Sequence, residues 1–281
     1  MATTSRRRTN RAKSSQKKNY SLTKWIVFSL LFIATFIYVY AKKDELLYYF
    51  GLKVYKGRLS EKEQKIENKR IASIVNDHEN KTFGIDVSQY QGNIKWDILE
   101  APDELFEIKF VVVRATAGAT KVDRKFKKNW KALTARPYLQ GAYHYYRPDE
   151  NSTLQANNFI NTVHLRKGHI PPILDIEKMP KGQSINRLKE GLKNWLSIVE
   201  KHYKVKPIIY TGEKFYEDFL KDDFSDYKFW IANYNPWKKQ INANFLMWQF
   251  SEKAVLIGVD ENVDVNVFNG SVADLKAICL D

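Results

Sequence analysis

Eight short runs rich in β-branched and aromatic residues constrain the fold more than any other feature of this chain. They lie at 83–88, 110–116, 139–146, 172–177, 207–211, 228–233, 246–251 and 263–267. Amphipathic helical patterns fit between the early runs, at 96–99, 123–134, 152–163, 184–203 and 213–220, and then stop. Strands alternating with helices argue for βα units and a parallel sheet. Eight strands, the first five followed by helices, predict an α/β fold of TIM-like barrel type with an incomplete outer ring. An open doubly wound sheet is the competing arrangement. It is weakened because no Gly-rich phosphate loop follows the first strand.

In such barrels chemistry gathers at the C-terminal ends of strands. Asp86, Arg114, His144, Asp175, Glu177, Gln249 and Asp264 fall at those expected ends. Among them, Asp175 and Glu177 are the most informative, because they close the apolar run Pro171-Pro172-Ile173-Leu174-Asp175-Ile176-Glu177. Side chains alternate along a strand, so both acids point to one side and Ile176 to the other. Two acids held close in a partly desolvated pocket do not both ionise easily, and the pair divides into a proton donor and an anion. That is equipment for cutting an acetal. The plain alternative is a solvated strand end.

The net charge of +14 invites a nucleic-acid reading, but its distribution argues against one. Residues 1–24 hold Arg6, Arg7, Arg8, Arg11, Lys13, Lys17, Lys18 and Lys24 with no acid, eight of the fourteen charges. Immediately after comes an uncharged stretch at 25–41, WIVFSLLFIATFIYVYA, followed by Lys42 and Lys43. Seventeen helical residues rise about 25 Å, the short end of what crosses a bilayer. Trp25, Tyr38 and Tyr40 sit at its rims as interfacial aromatics do, and the basic excess on the N-terminal side predicts a cytoplasmic tail with everything after residue 41 exported. A cleaved secretory signal is the alternative; bulky Tyr38 and Tyr40 and the length of the stretch favour an uncleaved anchor. The charges of the tail are then topology, and no nucleic-acid partner is expected. Residues 42–81 read as a charged, partly helical stalk, and 82–281 as the barrel domain. Cys279 is the only cysteine, so no intrachain disulfide supports the fold. His78, His164, His169 and His202 show no metal-ligand spacing, and no zinc site is assigned.

One group of segments carries a family resemblance. Gly84-Ile85-Asp86-Val87-Ser88-Gln89-Tyr90-Gln91-Gly92, Gly141-Ala142-Tyr143-His144-Tyr145-Tyr146-Arg147-Pro148, Pro172-Ile173-Leu174-Asp175-Ile176-Glu177, Trp230-Ile231-Ala232, Trp248-Gln249-Phe250-Ser251 and Val263-Asp264-Val265-Asn266 occur in that order. Together they resemble glycoside hydrolase family 25, the Chalaropsis-type lysozymes, over about residues 83–270. The resemblance implies a barrel of five β/α units and three further strands. It also implies hydrolysis of the β-1,4 bond from N-acetylmuramic acid to N-acetylglucosamine in peptidoglycan, without a metal or other cofactor. Asp86, Asp175, Glu177 and Asp264 match the family's acids. One departure stands out: where family members often read K-A-T-E-G, this chain has Arg114-Ala115-Thr116-Ala117-Gly118, so a carboxylate is missing at Ala117.

The expected mechanism makes Glu177 the general acid for the leaving glycosidic oxygen, with Asp175 orienting the 2-acetamido group of the sugar, the substrate-assisted variant of glycoside cleavage. An inverting route through an activated water is the other possibility. Asp86 and Asp264 would set the charge state of the pair and hold sugar hydroxyls. Tyr90, Tyr145, Trp230, Tyr234 and Trp248 are candidates for a glycan-stacking wall, with Gln249 beside Trp248. His144 and Arg114 are either site residues or structural partners of their neighbours. A monomer is expected. A catalytically silent peptidoglycan-binding barrel is the reading from a different class.

Overall fold

A computed structural model describes residues 20–41 and 59–281, with side chains described over 24–40 and 59–281. The described residues fall into two units, 20–41 and 59–281. In the first, helix α1 (Tyr20–Ala41) runs unbroken through the uncharged stretch, and its side chains from Lys24 to Tyr40 are exposed. Among the described residues no helix is long and apolar enough to cross a membrane. Residues 1–19 of the expected tail and 42–58 of the expected stalk lie outside the described residues.

The second unit is a closed barrel. Its strands are β1 (Thr82–Val87), β2 (Phe110–Ala117), β4 (Leu139–Tyr145), β5 (Ile173–Asp175), β6 (Ile208–Gly212), β7 (Lys228–Ala232), β8 (Met247–Ala254) and β9 (Val263–Phe268), with a two-residue β3 (Lys121–Val122) hairpinned onto β2. Each neighbours the next, and β1 closes the ring by pairing with both β2 and β9. Helices α3 (Phe126–Thr134), α4 (Ser152–Thr162) and α5 (Ile185–Tyr203) follow β2/β3, β4 and β5, and a short α6 (Glu213–Phe215) runs into a π turn at Tyr216–Leu220. At Gly84 two strands pack closely. A Cβ there would come within 2.4 Å of the Phe110 carbonyl oxygen, so β1 and β2 approach only because that position has no side chain.

Two differences from the expected barrel have physical causes. The first β/α unit has no α-helix; three 3-10 turns, Gln89–Gln91, Trp96–Ile98 and Pro102–Glu104, fill the gap between β1 and β2. Gly92 at φ +68° and Pro102 interrupt the segment before a full helical repeat can form. The second concerns β9, which runs antiparallel to both β8 and β1. Only residues 255–262 separate β8 from β9. A parallel crossover needs about a dozen residues or more, so this connection can only reverse the chain. Asp264 therefore lies at the start of its strand, not at a C-terminal end as expected. Reversal still brings it to the rim where the other strands end.

Inside the barrel, Phe110, Val112, Ile173, Ile208, Trp230, Met247 and Phe268 form an apolar plug over the half opposite that rim. Leu275 of α7 (Val272–Ala277), fully buried, packs into the same cluster with Ile278 and Cys279, and closes the floor. A larger core lies between the sheet and its helices. His144 belongs to it. A register shift between Arg114 and Thr116 turns Thr116 outward beside His144, and the two are linked, Thr116 Oγ1 to His144 Nδ1, at 2.7 Å. The imidazole also meets Gln155 Oε1 at 3.1 Å and stacks on Trp195 at 5.5 Å. It is 0% exposed, and burial pulls its pKa down to about 4.

Helix α2 (Glu61–Asp77) was expected within a stalk, yet it lies along β8, whose outer face receives no helix from the C-terminal half. A capping box between Ser60 and Glu63 starts it. Ile71 and Ile74, both 1% exposed, enter the outer core. Arg70 Nη2 donates to the Phe250 carbonyl at 2.5 Å, and Ser251 Oγ donates to Glu67 at 2.5 Å. At its end His78 Nε2 accepts from the Ile241 amide at 3.3 Å, while Nδ1 donates to the Ile74 carbonyl at 2.7 Å. The apolar face of α2 thus supplies cover that β7, β8 and β9 do not bring with them.

Two outcomes follow for urea denaturation of the full chain. Ile71→Ala and Ile74→Ala should each lower stability by about 2–5 kcal/mol, whereas Lys65→Ala on the exposed face should change it by no more than about 0.5 kcal/mol; equal small effects would mean that α2 does not support the barrel. The second concerns pH. A histidine whose folded pKa is depressed to about 4 contributes stability that is complete above the unfolded value and is lost as pH falls through that window. Stability should decline between about pH 6.5 and 4, by on the order of 3 kcal/mol from this group, and His144→Gln should flatten that part of the profile.

Candidate active site

The rim is built first by register. In the antiparallel β1–β9 pair, Asp86 stands directly opposite Asp264, which holds two carboxyl-bearing residues across a single strand gap, with Cβ atoms about 4.5–5.5 Å apart in such pairs. Like charges placed so closely are destabilising unless donors surround them. β8 and β9 provide donors: Gln249 Nε2 donates to Asp86 Oδ2 at 2.6 Å and Asn266 Nδ2 to the same oxygen at 2.9 Å. The amides are themselves oriented. Gln249 Oε1 accepts from Tyr210 Oη at 2.6 Å and from Tyr234 Oη, and Asn266 Oδ1 accepts from the Trp230 indole at 3.0 Å. A buried polar network with its donors and acceptors matched in this way is rigid.

Asp175 and Glu177 enter from β5. The strand is shorter than expected and ends at Asp175, but extended pairing continues, since the Ile176 amide donates to the Tyr210 carbonyl at 3.0 Å. Leu174 and Ile176 are buried in the outer core and Ile173 in the inner one, which puts Asp175 on the inner side. Asp175 is 4% exposed, while Glu177 is half-buried, nearer the mouth. Tyrosines report the shared space of the acids. Burial, followed by Glu177 and Asp175, pushes the Tyr145 hydroxyl up. Burial raises Tyr143 well above its ordinary value, with Asp86, Asp175 and Asp264 contributing and Arg114 opposing. Tyr210 is raised by burial and then by Tyr234, Glu177, Asp175 and Asp86. Tyr234 is 38% exposed as a residue, but its hydroxyl is turned in against Gln249 and is raised by burial, Asp264 and Glu252. Register agrees, since Asp175 lies between Tyr145 of β4 and Tyr210 of β6.

Arg114 also reaches this side, but its ion-pair partner is a residue that sequence reasoning missed. Its Nε pairs with Asp123 Oδ2 at 2.8 Å. Asp123, 6% exposed, additionally accepts from the Gln89 amide at 2.9 Å through Oδ2 and from the Lys125 amide at 2.9 Å through Oδ1. One carboxylate thus ties the loop after β1 to β2 and to the entry of α3. The Arg114 guanidinium lies 4.7 Å from the centre of the Tyr90 ring, which is 62% exposed. Ala117, the position lacking a carboxylate, pairs in register with Tyr145. The adjoining turn is held by Glu150, which accepts from the Ala119 amide at 2.6 Å and pairs with Arg147 at 3.0 Å.

The structure therefore gathers Asp86, Asp264, Asp175, Glu177, Tyr145, Tyr234 and Gln249 at one rim, with Arg114 and Tyr90 beside them. It does not bring His144, Trp230 or Trp248 to that surface. His144 faces the helices, as described above. Trp230 is 2% exposed and lies below the network, edge-on to Tyr210 at 4.7 Å. Trp248 is 1% exposed on the outer face, its indole donating to the Asn233 carbonyl at 2.8 Å and its ring 6.2 Å from His78. Alternation explains the last case: where Gln249 points in, Trp248 must point out. Tyr143 and Tyr210, absent from the sequence-level candidates, occupy the inner face in its place.

Comparison with known proteins agrees with this architecture. The sequence profile of Glycosyl hydrolases family 25 matches residues 85–259. The uncharacterized protein YegX of Escherichia coli strain K12 is 36% identical over 196 residues, 69% of this chain and 72% of that one. Lysozyme M1 of Streptomyces globisporus is 29% identical over 210 residues, 69% of this chain and 70% of that one. Among solved structures, a family 25 glycosyl hydrolase from Bacillus anthracis superposes with a TM-score of 0.63 at 27% identity, covering 71% of this chain and 94% of that one. The acid-lined rim thus sits in a chain that belongs to glycoside hydrolase family 25, and the protein is a glycoside hydrolase.

Proposed function

We propose that the protein is a membrane-tethered muramidase that cleaves the β-1,4 bond between N-acetylmuramic acid and N-acetylglucosamine in peptidoglycan. The observation that carries this reading is register, which sets Asp86 opposite Asp264 and Asp175 between Tyr145 and Tyr210 of the neighbouring strands. Similarity to a lysozyme and membership of family 25 name the substrate class.

In the mechanism, Glu177 at the mouth donates its proton to the leaving glycosidic oxygen as the C1–O bond breaks. Asp175, deeper in the hollow, polarises the 2-acetamido group, whose carbonyl oxygen attacks the anomeric carbon from the opposite face. Water then opens the resulting ring, and the Glu177 carboxylate takes up the proton that water loses. Asp86 is fixed by Gln249 and Asn266, so it stays in place as charge redistributes. The Tyr145 phenol remains protonated and available as a donor to sugar oxygens, while Tyr210 spends its proton on Gln249 Oε1.

The anchor reading rests on the uncharged stretch at 25–41 and on the basic residues before it. It places the N-terminus in the cytoplasm and the barrel outside. The protein should remain with membranes after alkaline carbonate washing, and recovery in the soluble fraction would refute the tether. For the chemistry, mass spectrometry of fragments released from purified peptidoglycan by the detergent-solubilised full chain should find muramic acid reducing ends. Glu177→Gln should slow release by about 100-fold to 10,000-fold with an unaltered melting curve. Glucosamine ends would point to another bond, near-normal release by the variant would remove Glu177 from its role, and no release by the wild type would favour a binding scaffold.

A further inference from the structure

The loop that follows β7 holds a side chain that the acid-lined hollow does not use. Trp237 is 86% exposed, more than any other large apolar residue among the described residues. The loop is not arranged at random around it. Asn233 Oδ1 accepts from the Asn235 amide at 2.8 Å, and Asn235 Oδ1 accepts from the Trp237 amide at 2.9 Å, two consecutive side-chain turns with Pro236 between them. The next residue, Lys238, is clamped to Glu213 at 2.5 Å, and Glu213 also accepts from the Asn233 side chain. Glu213 directly follows the end of β6, so the clamp holds the start of the loop at the rim where the acids lie. Three residues before Trp237, Tyr234 joins Gln249, which in turn holds Asp86. The backbone on both sides of the indole is thus fixed to the same framework as the catalytic acids, and the ring is kept out of the core and turned to water.

We propose that Trp237 is a distal glycan subsite, a stacking platform for the C–H face of a saccharide unit some distance along the strand from the bond being cut. This rests on the muramidase reading and adds to it the prediction that several sugars of one strand are engaged at once. An indole suits this role because it offers a broad apolar face at little cost in side-chain freedom, and pyranose rings present a matching array of axial hydrogens. Tyr90, 62% exposed on the loop after β1, is a second exposed ring of the rim, so a strand lying across the mouth meets aromatic surface at more than one point.

The test compares full-length wild type, Trp237→Ala and Trp237→Phe on intact peptidoglycan and on a soluble tetrasaccharide of alternating N-acetylglucosamine and N-acetylmuramic acid, together with cosedimentation on insoluble peptidoglycan. For Trp237→Ala, KM on the polymer should rise roughly 3–10-fold, the size of one aromatic contact, while kcat holds and the tetrasaccharide, which offers fewer units to be bound at once, shows a smaller rise. Trp237→Phe should restore most of the polymer KM. Unchanged polymer KM and unchanged cosedimentation would overturn the subsite, as would a loss shared equally by both substrates. Loss of binding to vesicles of anionic phospholipid with normal glycan kinetics would assign the ring to a lipid surface instead. If the wild type cleaves neither substrate, the muramidase reading fails, and cosedimentation of the two variants still decides whether Trp237 contacts glycan.

Discussion

The opposition of Asp86 and Asp264 across β1 and β9 is the constraint around which the rim is organised. Two carboxyl groups in register repel unless the surroundings supply donors. The barrel supplies them from the interior side chains of β8 and β9, and those amides are oriented by Tyr210, Tyr234 and Trp230 on three further segments. The stability of the wall and the electrostatics of the site are therefore the same problem. An interior otherwise filled by Phe110, Val112, Ile173 and Met247 becomes polar only in its upper half, where the network replaces apolar packing. Catalytic sites concentrate such tension, and a closed ring of backbone hydrogen bonds is a framework stiff enough to hold it.

Much of the barrel was legible because each strand is a compact β-branched run bounded by turns or helices. The direction of β9 was not, since alternation looks the same read either way; only the brevity of the 255–262 connection carries that information. The side chosen by each strand was also hidden. Barrel strands are buried on both faces, so the polarity contrast that marks inside from outside in a half-exposed sheet is absent. Trp248 and Gln249 show the result: adjacent, both buried, and facing opposite layers. In the same way, the bulge beside Arg114 turns Thr116 toward His144, and no residue type announces it. Asp123 escaped notice because its partners, Gln89, Arg114 and Lys125, are set by the fold of a hairpin whose strand β3 has only two residues.

Helix α2 illustrates a different limit. Its sequence is mostly polar, and Ile71 and Ile74 make a narrow apolar stripe that by itself signals no partner. The need for it arises elsewhere, on the outer face of β8, where Trp248 and Phe250 would otherwise meet water. A vacancy in the ring of helices is a property of the whole barrel, so the segment that fills it can be recognised only once the ring has been assembled. Arg70, Glu67 and His78 then fix the fit through backbone and side-chain bonds to Phe250, Ser251 and Ile241.

Leu275, buried in one cluster with Phe110 and Phe268, makes the cylinder blind at one end. Nothing can pass through the barrel from below, so whatever reaches the acids arrives and departs through the open rim alone. Entry and exit share one doorway, and the loops around that doorway decide what is admitted.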